Sequence, residues 1–336
     1  MKCAINGFGR IGRNFFRVLL EDAAARKNIE LVAINLGPNE NPATIVHMIK
    51  YDTLMGTYKG EIAFRDGKLS VADYVITILT EADPENLPWA TLGVDWVAEC
   101  SGHFTKRDQA ERHLKAGAKA VLISAPAKGE DVTIIPGVND ADFIAGKHTI
   151  VSLGSCTTNA FVPTVKVLQD AFGIERGYMT TVHAYTNTQV LLDVNDEDPR
   201  RSRAAALNIV PTDTGASKLI GKLIPELAGR IGATSVRVPV AKVSLIDLTF
   251  TSPKKLSVEA INQAFAAASE RGAMKGVVAI THEPLVSSDF GGNSHSVIID
   301  GLMTDVCNDH MGKVFGWYDN EWAYSVRMKD FLLQRV

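Results

Sequence analysis

Three glycines near the start, Gly7, Gly9 and Gly12 in the spacing G-x-G-x-x-G, constrain this chain more than any other feature. They directly follow a short apolar run, residues 2–6. They open a segment, residues 10–24, with Ile11, Phe15, Val18 and Leu19 at helical spacing. A strand, a glycine turn and a helix in that order predict a dinucleotide-binding βαβ unit. The first glycine permits the tight turn, the second lets a pyrophosphate approach the backbone, and the third lets helix and strand pack closely. The helix N-terminus then faces the phosphates. A glycine turn that merely packs well is the plain alternative.

The alternation continues beyond this unit. Residues 29–35, 75–80, 95–100 and 120–124 read as buried strands, and 105–116 as a helix between two of them. That pattern predicts an α/β, Rossmann-type, doubly wound parallel sheet. The second half reads differently. Strand-like runs at 178–184, 235–240, 244–252, 276–282, 295–300 and 314–318 often follow one another closely, with longer helices at 214–227 and 258–271. This predicts an α+β catalytic domain with a mostly antiparallel sheet. A chain of 336 residues suits two domains rather than one core. The expected division is 1–154 with 320–336 as the dinucleotide-binding domain and 155–319 as the catalytic domain. The tail, 321–336, is helical and expected to return to the first domain. The polar stretch 186–203 has no period, and a loop this long inside a compact domain is usually functional.

Charge and cysteine usage exclude several classes. The formal net charge is −3 with no block of like charges, so no nucleic-acid or membrane partner is expected. No apolar run approaches the roughly 18 residues of a membrane span. The first residues run straight into glycines and do not read as a signal peptide. The four cysteines, at 3, 100, 156 and 307, show no C-x-x-C spacing. That argues against a zinc site and a disulfide framework, for no metal, and for a reducing cytoplasm.

Cys156 lies in G-S-C-T-T-N, where an apolar run, 149–153, gives way to a helical pattern, 160–172. A helix N-terminus favours the thiolate, and Ser155 and Thr157 offer hydroxyl donors beside it. A histidine within reach would complete an activated pair. His183, at the end of the strand-like run M-T-T-V-H, is the best placed of eight histidines. A buried inert cysteine and a strand-end histidine fit the same residues, and chemistry alone leaves both readings open. The second strand ends Ala33-Ile34-Asn35-Leu36-Gly37, so Leu36 stands where an acid usually holds the adenosine ribose. Losing that carboxylate removes its repulsion of a 2′-phosphate, which points to NADP or to either cofactor; Glu40 or a backbone group serving NAD in its place is the plain alternative.

Taken together, I-N-G-F-G-R-I-G-R (5–13), K-Y-D-T (50–53), S-C-T-T-N (155–159), T-V-H-A-Y-T (181–186), N-I-V-P-T-D-T-G-A-S-K (208–218), R-V-P (237–239) and W-Y-D-N-E-W (317–322) resemble the phosphorylating glyceraldehyde-3-phosphate dehydrogenase family over nearly the whole chain. The resemblance implies that Cys156 attacks the aldehyde of glyceraldehyde 3-phosphate and that His183 is the base. Hydride passes to NAD or NADP, and inorganic phosphate releases an acyl phosphate from the Cys156 thioester. It assigns the substrate phosphate to Thr186, Thr188 and Arg237. It assigns the attacking phosphate to Ser155, Thr157, Arg201, Thr214 and Gly215. It assigns the cofactor to Gly7, Gly9, Arg10, Ile11, Gly12, Leu36, Ser101, Ser124, Asn320 and Tyr324. It also implies a homotetramer with the 186–203 loop between subunits.

The departures bear on the cofactor. NAD-preferring members usually carry Asp at Leu36 and Leu-Pro where this chain has Val194-Asn195. Both changes point towards NADP or dual use, while Asp196, Glu197 and Asp198 bring opposing charge. An arginine common near the adenine is Ala82 here. Erythrose-4-phosphate dehydrogenase, a sister enzyme, also lacks the Asp, but Thr186 and Thr188 favour the triose. A non-enzymatic dinucleotide-binding protein and a cysteine hydrolase are the competing classes. The retained Cys156 and His183 speak against the first, and the glycine-rich strand-turn-helix speaks against the second.

Overall fold

The structure, a computed structural model, describes residues 1–38, 40–195 and 197–336. Asp196, one of the three acids noted above, lies outside the described residues. The chain divides into two compact units. One comprises Met1–Pro136, Asp140–Ser155 and Ser325–Val336, the other Gly137–Asn139 and Cys156–Tyr324.

The first unit is built on nine strands: β1 (Lys2–Asn6), β2 (Glu30–Asn35), β3 (Ile62–Arg65), β4 (Lys68–Val71), β5 (Tyr74–Leu79), β6 (Trp96–Glu99), β7 (Ala120–Ile123), β8 (Val132–Thr133) and β9 (Ile150–Ser152). Their order is β3-β4-β5-β2-β1-β6-β7-β9-β8. From β5 to β8 every pairing is parallel. β6 and β7 are buried at every position, as strands of a parallel sheet covered on both faces must be. The chain leaves β1 towards β2 and later returns to β1's other side as β6. The glycine turn therefore sits at a topological switch point, outside the carboxyl end of β1, where such folds bind ligands.

Local chemistry corrects several boundaries. The first helix stops at Glu21, because Asp22 is extended and caps a second helix, Ala23–Asn28, by accepting from Ala25 N. The helix expected at 105–116 spans Arg107–Lys115. The β3–β4 hairpin adds an antiparallel edge to the expected parallel sheet. Its turn, Asp66-Gly67, has φ +52° and +75°, the left-handed pair a two-residue hairpin needs.

A buried polar network braces the glycine turn. Glu99, at the end of β6, accepts from Asn6 Nδ2 at 2.6 Å and from Ser101 N at 2.7 Å. Trp89 Nε1–H can only donate, and it lies 3.0 Å from His113 Nδ1. His113 therefore carries its proton on Nε2 and donates it to Glu99 Oε2 at 3.0 Å. Asn35 Nδ2 in turn donates to Asn6 Oδ1 at 2.7 Å. Trp89, Glu99 and His113 are 0–1% exposed. Glu99→Ala would strand four donors, those of the buried Asn6 and His113 and both the N–H and the hydroxyl of the half-buried Ser101. It is expected to lower the unfolding free energy by about 3 kcal/mol or more, measured by urea titration. A loss under about 1 kcal/mol would mean that water replaces the carboxylate at little cost.

The second unit holds β10 (Arg176–Ala184), β11 (Val210–Thr212), β12 (Ile231–Val238), β13 (Ser244–Thr251), β14 (Val278–Thr281), β15 (Val297–Asp300), β16 (Asp305–Cys307) and β17 (Met311–Tyr318). The order is β11-β12-β10-β13-β17-β15-β14, with β16 on β17. Only β10–β12 and β14–β15 are parallel among its pairings. β13 and β17 alternate buried and half-buried residues, the mark of a sheet packed on one face. The helices Cys156–Phe172, Ala216–Leu223 and Val258–Glu270 pack on these strands, the first touching the other two. The helix expected at 214–227 ends at Leu223, and Pro225 starts a separate short turn.

Candidate active site

Cys156 is the first residue of the helix Cys156–Phe172, as the change in pattern after residue 153 predicts. Its Sγ lies 3.5 Å from His183 Nε2. His183 is 3% exposed, near the end of β10. The parallel register of β10 and β12 pairs His183 with Arg237. Arg237 Nη1 sits 2.7 Å from His183 Nδ1 and 3.0 Å from Ala184 O, and Nδ1 is itself 2.6 Å from Ala184 O. Cys156, His183 and Arg237 are thus one cluster within the second unit.

The electrostatics correct one expectation. Burial pushes the Cys156 thiol up, against the opposing pull of Arg237, the Thr157 hydroxyl and the first backbone N–H groups of the helix. Burial, helped by the Arg237 charge, pulls the His183 imidazole down to about 3. Both effects disfavour charge on the pair. Burial thus works against the thiolate that the helix N-terminus alone suggests, while Arg237 and the Thr157 donors work for it.

Tyr318 supports the cluster, a residue that sequence reasoning passed over. It is 1% exposed, and its ring stands edge-on to His183 at 5.9 Å. Thr181 Oγ1 donates to Leu245 O, so it accepts from the Tyr318 hydroxyl at 2.8 Å. Thr157 Oγ1 lies 3.0 Å from the same hydroxyl. Its proton therefore goes to the Tyr318 oxygen or to the sulfur. Thr181 and His183 stand two apart on one strand and share a face, which is a readable signal. Ser244 is a second missed residue. Its Oγ accepts from Ala184 N at 3.0 Å and donates to Asn320 Oδ1 at 3.3 Å. Asn320 Oδ1 also accepts from Val243 N at 3.1 Å. Val243 has φ +70°, an unfavourable conformation for a buried β-branched residue that this hydrogen bond helps to hold.

The remaining candidates of this unit are placed as follows. Thr186 and Thr188, just after β10, bring their hydroxyls to 2.9 Å. Thr214 accepts from Ala216 N at 3.3 Å, and Gly215 is the N-cap of the helix Ala216–Leu223. Arg201 is bound to Asp198 at 2.6 Å and lies close enough to Arg237 to repel its charge. Tyr324 is 3% exposed. Ser155 directly precedes Cys156, at the boundary of the units.

In the first unit the glycines carry the roles their spacing predicts. Gly7 has φ +89°, and a Cβ there would meet the Ser101 backbone at 2.4 Å. A Cβ on Gly12 would lie 2.2 Å from Gly7 O. A Cβ on Gly9 would meet nothing within 4 Å, which leaves open backbone for a pyrophosphate. Arg10 is tied to Asp52 at 2.5 Å, and Ile11 is half-buried beside it. Ser101 Oγ donates to Glu99 Oε1 at 2.5 Å, and Ser124 N to Glu99 O at 3.0 Å. Leu36 lines a cavity of about 140 Å³ with Phe8, Gly9, Arg13, Glu40 and Thr44. No arginine near Leu36 is visible in sequence, but the fold supplies Arg13. Among the described residues no group of His, Cys, Asp and Glu is placed to hold a metal ion. No helix among the described residues is long and apolar enough to cross a membrane.

Two family models match this chain. The glyceraldehyde 3-phosphate dehydrogenase NAD binding domain covers residues 1–107, and the C-terminal domain of the same family covers 155–320. Among similar curated proteins, the glyceraldehyde-3-phosphate dehydrogenase of Borreliella burgdorferi is 48% identical over all of both chains. That of Geobacillus stearothermophilus is 48% identical over 98% of this chain and 96% of its own. Glyceraldehyde-3-phosphate dehydrogenase 2 of Streptomyces arenae is 49% identical over 98% and 97%.

Proposed function

The chain belongs to the glyceraldehyde-3-phosphate dehydrogenase family, and on that premise we propose how its own side chains divide the work of the reaction. It is an NAD-dependent oxidoreductase that oxidises glyceraldehyde 3-phosphate and joins the product to phosphate. The tetrose substrate is not favoured: these relatives are named for the triose, and Thr186 and Thr188 offer paired hydroxyls.

The Cys156–His183 contact at 3.5 Å carries the mechanistic reading. The thiol proton moves to His183 Nε2 and the sulfur attacks the aldehyde carbon. The new oxyanion takes that proton back, leaving a hemithioacetal and a free base. A bound nicotinamide dinucleotide supplies the hydride acceptor. His183 removes the hemithioacetal hydroxyl proton as the hydride departs, and a thioester remains on Cys156. Phosphate attacks the thioester carbon. Its C–S bond breaks, the acyl phosphate leaves, and the sulfur regains its proton. Splitting the reaction in this way replaces one high barrier with two lower ones.

Arg237, with Thr186 and Thr188, holds the substrate phosphate. Ser155, Thr157, Arg201, Thr214 and Gly215 hold the attacking one. Guanidinium forks suit phosphate oxygens, and the N-terminus of the Ala216–Leu223 helix adds backbone donors. The open face of Gly9, the turn closed by the buried Gly7 and Gly12, Arg10, Ile11, Ser101 and Ser124 fit a dinucleotide; the family resemblance adds Asn320 and Tyr324 for the nicotinamide. The exposed Leu191, Leu192, Leu207 and Ile209 support a homotetramer assembled through their loop. Four free cysteines support a reducing cytoplasm as its location.

Cofactor use is read as dual or NADP-preferring. Leu36 brings no carboxylate, and Arg13 lines the same cavity, which favours a 2′-phosphate; Glu40 on that lining opposes it. Asn195, in place of an apolar loop residue, supports the same reading. The wild-type protein is therefore expected to have a kcat/KM with NADP comparable to or better than that with NAD. Leu36→Asp is expected to shift the ratio towards NAD by roughly 10–100-fold, since like charges repel at close range. A wild-type preference for NAD as strong as that of the variant would overturn dual use while leaving the chemistry of Cys156 intact.

A further inference from the structure

We propose that His113, buried behind the glycine turn, is a positioning residue for the dinucleotide: held in one tautomer by Trp89, it aims the Glu99 carboxylate that pins Ser101 against that turn. This rests on the reading of the turn from Gly7 to Gly12 as the cofactor's seat.

Each hydrogen bond of the buried network has one possible direction. Trp89 Nε1–H can only donate, so His113 accepts at Nδ1 and donates from Nε2 to Glu99 Oε2 at 3.0 Å. At the other end, the backbone N–H of Glu81 donates to Asn35 Oδ1 at 2.9 Å. Asn35 Nδ2 then donates to Asn6 Oδ1 at 2.7 Å and to Glu81 O at 2.9 Å. Asn6 Nδ2 donates to Glu99 Oε2 at 2.6 Å. Both lines of donors end on the same carboxylate. With an indole at one end and a backbone amide at the other, neither asparagine can flip without setting two acceptors face to face.

The two oxygens of Glu99 divide the work. Oε2 takes the side chains of Asn6 and His113. Oε1 takes Ser101, through its backbone N–H at 2.7 Å and its hydroxyl at 2.5 Å. That hydroxyl accepts in turn from His103 N at 3.1 Å. The Ser101 backbone is what closes on Gly7, where a Cβ would lie 2.4 Å from it. With backbone packed this closely, a rotated carboxylate displaces one wall of the turn. Four positions at strand ends meet in this network. Asn6 ends β1, Asn35 ends β2, Glu99 ends β6, and Glu81 follows β5. Ligands of such sheets bind outside these carboxyl ends.

His113 is 0% exposed, on the helix Arg107–Lys115, with its ring stacked on Trp89 and edge-on to Phe104 at 5.9 Å. Both of its ring nitrogens are committed, one of them to the carboxylate that holds the turn. Its loss would leave Oε2 with Asn6 alone and free the carboxylate to rotate. The effect falls on how well the seat is formed before a dinucleotide arrives. It is therefore an effect on affinity, not on the chemistry at Cys156, which belongs to the other unit.

The test uses the full-length protein and NAD. His113→Leu fills the space without either ring nitrogen, and His113→Gln keeps an N–H for Glu99. His113→Leu is expected to raise the calorimetric Kd and the KM for NAD by about tenfold, on the scale of one hydrogen bond to a carboxylate. The kcat at saturating NAD is expected to stay within about twofold of wild type. His113→Gln is expected to bring Kd back to within about threefold. Lost stability alone does not move Kd while the protein remains folded. A folded His113→Leu with wild-type affinity would therefore overturn the proposal, as would His113→Gln binding no better than His113→Leu. A fall in kcat as large as the rise in KM would show general damage and overturn it too. Should leucine prevent folding, Trp89→Phe carries the test, because it removes the donor that fixes the tautomer. A rise in Kd of about threefold is expected there, and an unchanged Kd would overturn the proposal. Gly9→Val tests the seat itself, since its side chain would stand on the open face of the turn. Loss of NAD binding is expected. Wild-type affinity in that variant would remove the turn from the cofactor site, and the proposal with it.

Discussion

Cys156→Ala is expected to abolish phosphate-dependent oxidation of glyceraldehyde 3-phosphate, with kcat falling on the order of 10⁵-fold or more, to the floor of the assay. Covalent attachment is the step that every later one depends on. Without the sulfur there is no hemithioacetal for hydride to leave and no thioester to conserve the energy of oxidation. Dinucleotide binding should survive, because the glycine turn and its Glu99 brace belong to the first unit. Calorimetric titration with NAD separates the two outcomes. Loss of turnover with intact binding fits the nucleophile; loss of both would mean that the substitution disturbs the fold. Turnover within tenfold of wild type would remove Cys156 from the mechanism.

The second large effect is at His183. His183→Gln is expected to lower kcat by about 10²–10⁴-fold, the usual contribution of a positioned base. A change in stability should accompany it. The folded ring has a pKa of about 3 against 6.5 for an ordinary histidine. The unfolded chain therefore binds a proton near pH 6.5 that the folded protein refuses until about pH 3. Stability is full above pH 6.5 and declines as the pH falls through that window. By pH 5 this one group accounts for about 2 kcal/mol of lost stability. Urea titrations at pH 7 and pH 5 should show the variant losing that much less than wild type. Equal losses would mean that the ring is charged or hydrated in the folded protein.

The first unit was largely legible because its signals are local. Glycine spacing, the apolar run 2–6 and the helical period after Arg10 all lie within some two dozen residues. The β3–β4 hairpin also carries a local mark, Asp66-Gly67, but as an antiparallel edge it lies outside the βαβ alternation. The site was legible only in part. Cys156 at a helix start is a local reading, and the structure bears it out. Its 3.5 Å approach to His183 depends on how one helix lies on β10. The position of Arg237 beside the ring depends on a parallel register across 54 residues, which no local pattern encodes. The thiol's state turned on the same limit. A helix N-terminus can be read from sequence, but burial is a tertiary property, and burial works against the thiolate.

The helix Trp322–Leu333 has a consequence for how this protein is made. From Ser325 onward it belongs to the first unit, where Phe331 stands edge-on to Trp96 and Phe143 at 5.5 Å and Lys329 pairs with Asp22. Those partners are synthesised early, yet Phe331 follows the entire second unit in the chain. During translation the nascent first unit must wait with this aromatic seat open while more than half of the protein emerges. An open apolar seat on a ribosome-bound chain invites chaperones and misassembly. Completion of the dinucleotide-binding unit is thereby a late event in biosynthesis, coupled to the arrival of the final helix.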